Sequence, residues 1–240
     1  MLNFMGIGAQ KCGTSWLYSA LTAHPQITFP GGKEVHYWNR PGDRSLGWYT
    51  QLFADETHLN GDITPAYAFL PLETIQTVHK ALPDLRLIYL IRDPMQRAWS
   101  SARMALARAE MTHEDASDQW FIDHFRSQGS LIRGDYETCI RTWRSVFPPE
   151  QLLIIRYETI ATDPVGVANR CLNHIGIDRL YSQADRKQLE KKVFEGDGMP
   201  LRPKLSLALA SLYSARIKSL SAYLAEDLSQ WGQTQRRKTA

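Results

Sequence analysis

The stretch Gly8-Ala9-Gln10-Lys11-Cys12-Gly13-Thr14-Ser15 has the residue types needed to hold a phosphate. A glycine-bounded loop carries one lysine and runs into a pair of hydroxyls where a helix is expected to start. Backbone N–H groups at such a start, together with the helix dipole, form an anion site. The spacing differs from the Walker pattern, which requires Gly, four residues, then Gly-Lys-Ser/Thr. Gly8 and Gly13 satisfy the first part, but Thr14 stands where the lysine should be, and the lysine lies two residues before Gly13. The loop therefore points to a phosphate-bearing cofactor other than an ordinary kinase nucleotide.

Two further groups could do chemistry. Arg92 and Ser100 are eight residues apart, within Arg92-Asp93-Pro94-Met95-Gln96-Arg97-Ala98-Trp99-Ser100. A guanidinium that grips phosphate bidentately, with a hydroxyl two helical turns away, would make a second phosphate clamp. The alternative is that Arg92 pairs with Asp93 or caps a neighbouring helix. In Lys33-Glu34-Val35-His36, a carboxylate and an imidazole two residues apart would face the same side of an extended segment and could serve one cleft as proton acceptors. The alternative for Glu34 is a solvent-exposed pair with Lys33.

These groups must be positioned by strands and helices, and the apolar pattern supplies them in alternation. Strands are expected over 3–8, 27–29, 85–91 and 152–155; helices over 14–23, 71–81, 95–109, 135–146, 164–175 and 204–224. His24-Pro25 ends the first helix, because a residue before proline avoids the α region. Alternating strands and helices argue for an α/β fold, a P-loop-type three-layer sandwich with a mostly parallel central sheet flanked by helices. Arg92 then follows the carboxyl end of a strand, where open α/β sheets bind ligands.

At this point the chain resembles sulfotransferases that use 3′-phosphoadenosine 5′-phosphosulfate (PAPS). Lys11-Cys12-Gly13-Thr14-Ser15 is similar to that family's 5′-phosphosulfate loop, and residues 92–100 to its 3′-phosphate motif. Trp16 matches an aromatic that packs on adenine in the small-molecule branch, with a simple core role as the alternative. Other segments resemble the glycan-sulfating branch. Lys33-Glu34-Val35-His36-Tyr37-Trp38 is similar to a segment whose glutamate is taken as the catalytic base, and Gly61-Asp62-Ile63-Thr64-Pro65-Ala66-Tyr67 to a Gly-Glu-Lys-Ser/Thr-Pro-x-Tyr segment. Ile63 replaces that segment's lysine, so acceptor choice does not carry over. Met199-Pro200-Leu201-Arg202 and Asp227-Leu228-Ser229-Gln230-Trp231 resemble the tail of many bacterial members.

The resemblance implies sulfuryl transfer from PAPS to a hydroxyl or amine of a carbohydrate or small molecule, leaving adenosine 3′,5′-bisphosphate. It implies Lys11 and the N–H groups of Gly13 to Ser15 at the leaving phosphate, Glu34 as base with His36 as the other candidate, and Arg92 and Ser100 at the 3′-phosphate. Arg202 is added as a residue that could close over the 3′-phosphate. No magnesium ligand set is apparent, and Cys12 is expected to be a small loop filler. The competing readings are an ATP-dependent P-loop phosphotransferase and a non-catalytic nucleotide-binding protein.

Bulk properties fit this frame. At 240 residues and 43% hydrophobic content, the chain is expected to form a single domain over 1–240. A net charge of +3 gives no sign of a nucleic-acid partner, and the tail Arg236-Arg237-Lys238 is expected to be solvated. The three cysteines have no metal or disulfide spacing, and no signal or transmembrane segment is apparent, so a cytoplasmic protein is expected. Residues 104–132 match nothing and are expected to shape the acceptor site. Their two basic residues against five acidic ones favour a neutral sugar, lipid-linked glycan or small hydroxylated metabolite.

Overall fold

A computed structural model describes residues 1–190 and 199–233 of the chain; the basic tail at 236–238 lies outside the described residues. In chain order the first half contains β1 (Leu2–Gly8), α1 (Thr14–Thr22), β2 (Ile27–Thr28), α2 (Leu46–Gln51), β3 (Leu59–Ile63), α3 (Leu72–Ala81) and β4 (Arg86–Ile91). There follow α4 (Pro94–Arg108), α5 (Asp118–Arg126), α6 (Gln128–Arg133), α7 (Tyr136–Arg144), β5 (Leu152–Arg156), α8 (Tyr157–Thr162), α9 (Pro164–His174), α10 (Arg186–Leu189) and α11 (Pro203–Leu224). The chain divides into two compact units, Met1–Ile91 with Cys139–Glu195, and Arg92–Thr138 with Gly196–Ala240.

The first unit is built on a five-stranded sheet of order β2-β3-β1-β4-β5 in which every pairing is parallel. Parallel strands are covered on both faces and so read as continuous apolar runs. In β4, Leu87, Ile88, Leu90 and Ile91 are all fully buried, and each contributes about 1.5–3 kcal/mol by leaving water. The chain steps from β1 to β3 on one side and to β4 on the other, so the strand order reverses at β1. The crevice beyond the carboxyl end of such a strand is where open α/β sheets bind ligands.

β3 is not among the expected strands, and its composition explains why. Leu59-Asn60-Gly61-Asp62-Ile63 contains three poor strand formers. Its polar groups are satisfied by tertiary partners: Asn60 donates to the Met1 carbonyl at 3.2 Å, and its N–H reaches the Asn3 side chain at 2.8 Å. Gly61 lies opposite Phe4 in the register. A Cβ there would collide with the rings of Phe4 and Phe29, which pack edge to face at 5.6 Å.

The second unit gathers α4, α5, α6 and α11. The buried face of α11 is Leu205, Leu209, Tyr213, Ile217 and Leu220, the stripe expected of an amphipathic helix against a core. Arg97 of α4 is fully buried. Its Nη2 donates to the Ser130 carbonyl and hydroxyl, each at 2.9 Å, and to the Tyr213 hydroxyl at 3.4 Å. Asp93 caps α4 by accepting from the Met95 N–H, while its other oxygen accepts from the Gly232 N–H, both at 2.9 Å.

Each unit contains a histidine kept neutral by burial. The ring of His174 reaches the Leu87 carbonyl at 3.0 Å, and burial lowers its pKa. His124 faces the Ser101 hydroxyl at 3.2 Å, and burial followed by the charges of Arg97 and Arg133 lowers its pKa. A depressed folded-state value means that the unfolded chain binds the extra proton first. The stabilisation is therefore complete above about 6.5, the unfolded value, and is lost as pH falls through the folded values. Melting temperature is expected to fall on acidification below pH 6.5, and His174→Gln, which retains a donor, should flatten that dependence. An unchanged slope in both His174→Gln and His124→Gln would show that other groups control it.

Candidate active site

The first site group follows β1. The loop leaves the strand at Ala9, whose N–H donates to the Leu90 carbonyl at 2.7 Å, and enters α1 through Gly13, which is left-handed at φ 96°. Gly13 is required twice over: that φ disfavours any side chain, and a Cβ there would lie 2.8 Å from the Tyr157 ring. Gly13, the N-cap, has no side chain with which to cap α1, and no acidic residue occupies its first turn. Its first N–H groups thus keep their pull on an anion. Lys11 is half-buried and left-handed at φ 68°, Thr14 is buried and Ser15 half-buried. Cys12 is fully buried, in keeping with a loop-filling role.

Trp16 is only 8% exposed, and its indole N–H donates to the Leu189 carbonyl at 2.7 Å. That bond ties α1 to α10 through the edge of the indole ring.

Glu34 and His36 do meet, although not in the way an extended segment would bring them together. Both have left-handed backbones, at φ 71° and 59°, and residues 33–36 form no strand. Glu34 Oε2 lies 3.1 Å from His36 Nε2, and Glu34 Oε1 accepts from Lys33 Nζ at 2.9 Å. His36 Nδ1 faces Asn39 Oδ1 at 3.2 Å. The solvent pair with Lys33 and the contact with His36 therefore coexist on one carboxylate.

Beneath this segment lies a group that the sequence did not single out for chemistry. Asp62, at the end of β3, is fully buried. Its Oδ1 accepts from the Thr64 hydroxyl at 2.7 Å, and its Oδ2 accepts from the Tyr49 and Tyr67 hydroxyls at 2.9 Å each. Burial pushes its pKa up, against the pull of those three hydroxyls and the Val35 N–H. Burial and the Asp62 charge likewise raise Tyr49 and Tyr67, keeping both as O–H donors. Thr64 directly follows β3, and its N–H donates to the Gly6 carbonyl at 3.0 Å. Residues 34–38 therefore sit over the carboxyl end of β3, next to the end of β1 that bears the Lys11 loop. Ile63, in the position of the segment's usual lysine, is fully buried, and its side chain fills the space beside Gly6.

In the second unit Arg92 is the first residue after β4, and Ser100 lies on the second turn of α4; both are half-buried. The neighbouring Ser101 is buried against His124, so that hydroxyl is committed internally. Arg202 precedes α11 and is committed as well. It donates to Asp118 Oδ1 at 2.8 Å and to the His113 carbonyl at 2.7 Å, and lies over the Phe121 ring at 5.4 Å. It fastens the 113–118 loop. Asp118 also has Lys204 at 3.9 Å, so the acidic balance of 104–132 is partly neutralised within the unit.

Known proteins are similar to this chain in sequence and fold. A family model described as sulfotransferase domain matches residues 3–195. The chain is 29% identical over 183 residues to mouse heparan sulfate glucosamine 3-O-sulfotransferase 6, covering 73% of this chain and 52% of that protein. It is 29% identical over 206 residues to human bifunctional heparan sulfate N-deacetylase/N-sulfotransferase 3, covering 76% of this chain and 23% of that one. The chain spans about half the length, or less, of the curated relatives it matches. Among solved structures, a sulfotransferase from Alicyclobacillus acidocaldarius superposes with TM-score 0.74 at 26% identity, covering 97% of this chain and 99% of that one. A mouse sulfotransferase complexed with PAP shares the fold at TM-score 0.62 and 15% identity, covering 93% and 88%.

Proposed function

Because this chain belongs to the sulfotransferase family, we propose that it transfers a sulfuryl group from PAPS to a carbohydrate hydroxyl. The observation that carries the reading is the Lys11 loop, which enters an uncapped, left-handed helix start beside the central strand's carboxyl end. Its donor set fits a phosphate: one ammonium, backbone N–H groups and two hydroxyls, with no carboxylate in the first helical turn. The names of the heparan sulfate relatives support a glycan acceptor. The family match continues from the first unit through Arg92–Thr138 and back, which supports treating both units as one sulfotransferase domain. Among the described residues no helix is long and apolar enough to cross a membrane; we propose a cytoplasmic enzyme.

PAPS would supply an electrophilic sulfuryl group and a 5′-phosphate leaving group. Lys11 would hold the leaving 5′-phosphate and offset the negative charge it gains, assisted by the N–H groups of Gly13 to Ser15; such preorganised donors are often worth about 3–4 kcal/mol each. Arg92 and Ser100, whose motif resembles the family's 3′-phosphate segment, would hold the 3′-phosphate, so that binding energy far from the reacting atoms would serve the reaction. Glu34 Oε2 takes the proton of the acceptor hydroxyl, with the His36 ring at 3.1 Å as the neighbouring proton carrier. The segment at 104–132 shapes the acceptor side.

Calorimetric titration with adenosine 3′,5′-bisphosphate and with ADP, each with and without magnesium, tests the donor. The bisphosphate is expected to bind more tightly without metal. Arg92→Ala should cost it about ten- to a hundredfold, equal to about 1.5–3 kcal/mol for a charge-assisted bond, while leaving ADP unchanged. A magnesium-dependent preference for ADP would overturn the reading in favour of a phosphotransferase.

A further inference from the structure

The backbone that carries Glu34 and His36 needs an explanation. Two non-glycine residues two apart both hold positive φ, each an uncommon state that persists only when surrounding contacts impose it. Neither side chain is buried enough to impose it: the Glu34 side chain is 37% exposed and that of His36 33%. The Lys33–Glu34 pair is an exposed ion pair of the kind that contributes little.

The constraint comes from below. The Tyr37 N–H donates to the Tyr67 hydroxyl at 3.0 Å, and the His36 N–H reaches the Thr64 hydroxyl at 3.5 Å. Both hydroxyls use their own protons on Asp62, at 2.9 and 2.7 Å. A hydroxyl has one proton and two lone pairs. With the proton held by Asp62, each of these two oxygens can only accept from the segment above it, so the direction of both bonds is set by the carboxylate. Tyr49, the third donor to Asp62, stacks its ring on Tyr37 at 4.5 Å and 13° and meets Trp38 edge to face at 5.4 Å. Two successive amides and two flanking rings are thus referred to one buried carboxylate.

We propose that Asp62 is a positioning residue for Glu34 and His36, acting through Thr64 and Tyr67 to hold residues 35–37 in the backbone that brings the two side chains together. The proposal rests on the reading above that Glu34 and His36 serve the acceptor. Its structural half can be tested without any acceptor.

Amide hydrogen exchange on the full chain with adenosine 3′,5′-bisphosphate bound reads the segment directly. Asp62→Asn, Tyr67→Phe and Thr64→Val are each expected to raise exchange in residues 35–37 at least tenfold. Protection in β1 and β4 and bisphosphate affinity should stay within about twofold of the parent. Thr64→Ser, which keeps the hydroxyl, should restore protection. In turnover, kcat should fall with KM for PAPS unchanged. Unchanged exchange at 35–37 in Tyr67→Phe and Thr64→Val would overturn the proposal, as would a rise spread evenly over the sheet, because either outcome makes Asp62 an ordinary core residue. Glu34→Gln keeps the two readings apart. If it leaves turnover intact while the exchange pattern appears as expected, the catalytic assignment fails and the positioning network stands.

Discussion

Glu34→Gln is expected to lower acceptor-dependent release of adenosine 3′,5′-bisphosphate from PAPS by roughly a hundred- to ten-thousandfold, the usual worth of a general base. The substitution preserves shape and one acceptor oxygen but removes the carboxylate's capacity to take a proton. Stability should barely change, because the substitution weakens only exposed pairings with Lys33 and His36, worth about 0–1 kcal/mol each. Bisphosphate affinity should stay within about twofold, since the proposed role puts Glu34 at the acceptor rather than at the nucleotide phosphates. His36→Gln is the matching control. With Glu34 as base, its loss is smaller and is partly in KM for the acceptor. A larger loss in His36→Gln than in Glu34→Gln would exchange the roles, making the imidazole the base and Glu34 the group that orients it. Full activity in both would remove the 34–36 segment from the chemistry.

The second large effect falls on stability and comes from Arg97. This side chain is fully buried, and one of its nitrogens ties α4 to Ser130 and Tyr213. Its Nε and Nη1 have no hydrogen-bond partner among the described residues. Arg97→Ala removes the packed stem and leaves the Ser130 carbonyl short of a donor, a loss on the order of 3 kcal/mol. In a chain of this size that lowers the melting temperature by roughly 6–12 °C. Arg97→Met separates the causes. It refills the volume without a charge to desolvate, and buried charges are often replaced by apolar groups at little cost. Methionine is therefore expected to recover most of the stability in thermal melts. If Met is as destabilising as Ala, the bonds to Ser130 and Tyr213 dominate and the packing account is wrong.

The parts of the molecule that were legible are those whose cause is local. Continuous apolar runs mark β1, β4 and β5 because strands buried on both faces need no alternation. Helices α4 and α9 are legible at their starts, where Asp93 and Asp163 cap and Pro94 and Pro164 take the first turn. β3 was hidden because its strand state comes from neighbours: Phe4 and Phe29 over Gly61, loop carbonyls around Asn60 and hydroxyls around Asp62. Helix α5 carries a local signal, with Ser117 as its cap and Phe121 and Phe125 one turn apart on its buried face, whereas the six residues of α6 are too few to show a period. Trp16 and Arg202 show the same limit from the other side. Residue type suggested a ligand contact for each, while the partners at Leu189, Asp118 and His113 are long-range and could not be read from the sequence.

By itself, then, the sequence determined the residue spacings on which the proposed phosphate binding rests. The order Lys11, Gly13, Thr14, Ser15 is a strand-loop-helix junction with its ammonium displaced from the Walker position, and Arg92 directly follows β4 while Ser100 lies on the second turn of the helix that follows. Both depend only on spacing within a few residues, where backbone geometry follows directly from residue type. Tertiary structure alone decided how Glu34 meets His36. An extended segment would have paired them by alternation; instead, left-handed residues held from below by Asp62, Thr64 and Tyr67 bring them to 3.1 Å. That carboxylate is about thirty residues away in sequence, and its effect appears only because burial forces every hydroxyl proton around it to point inward.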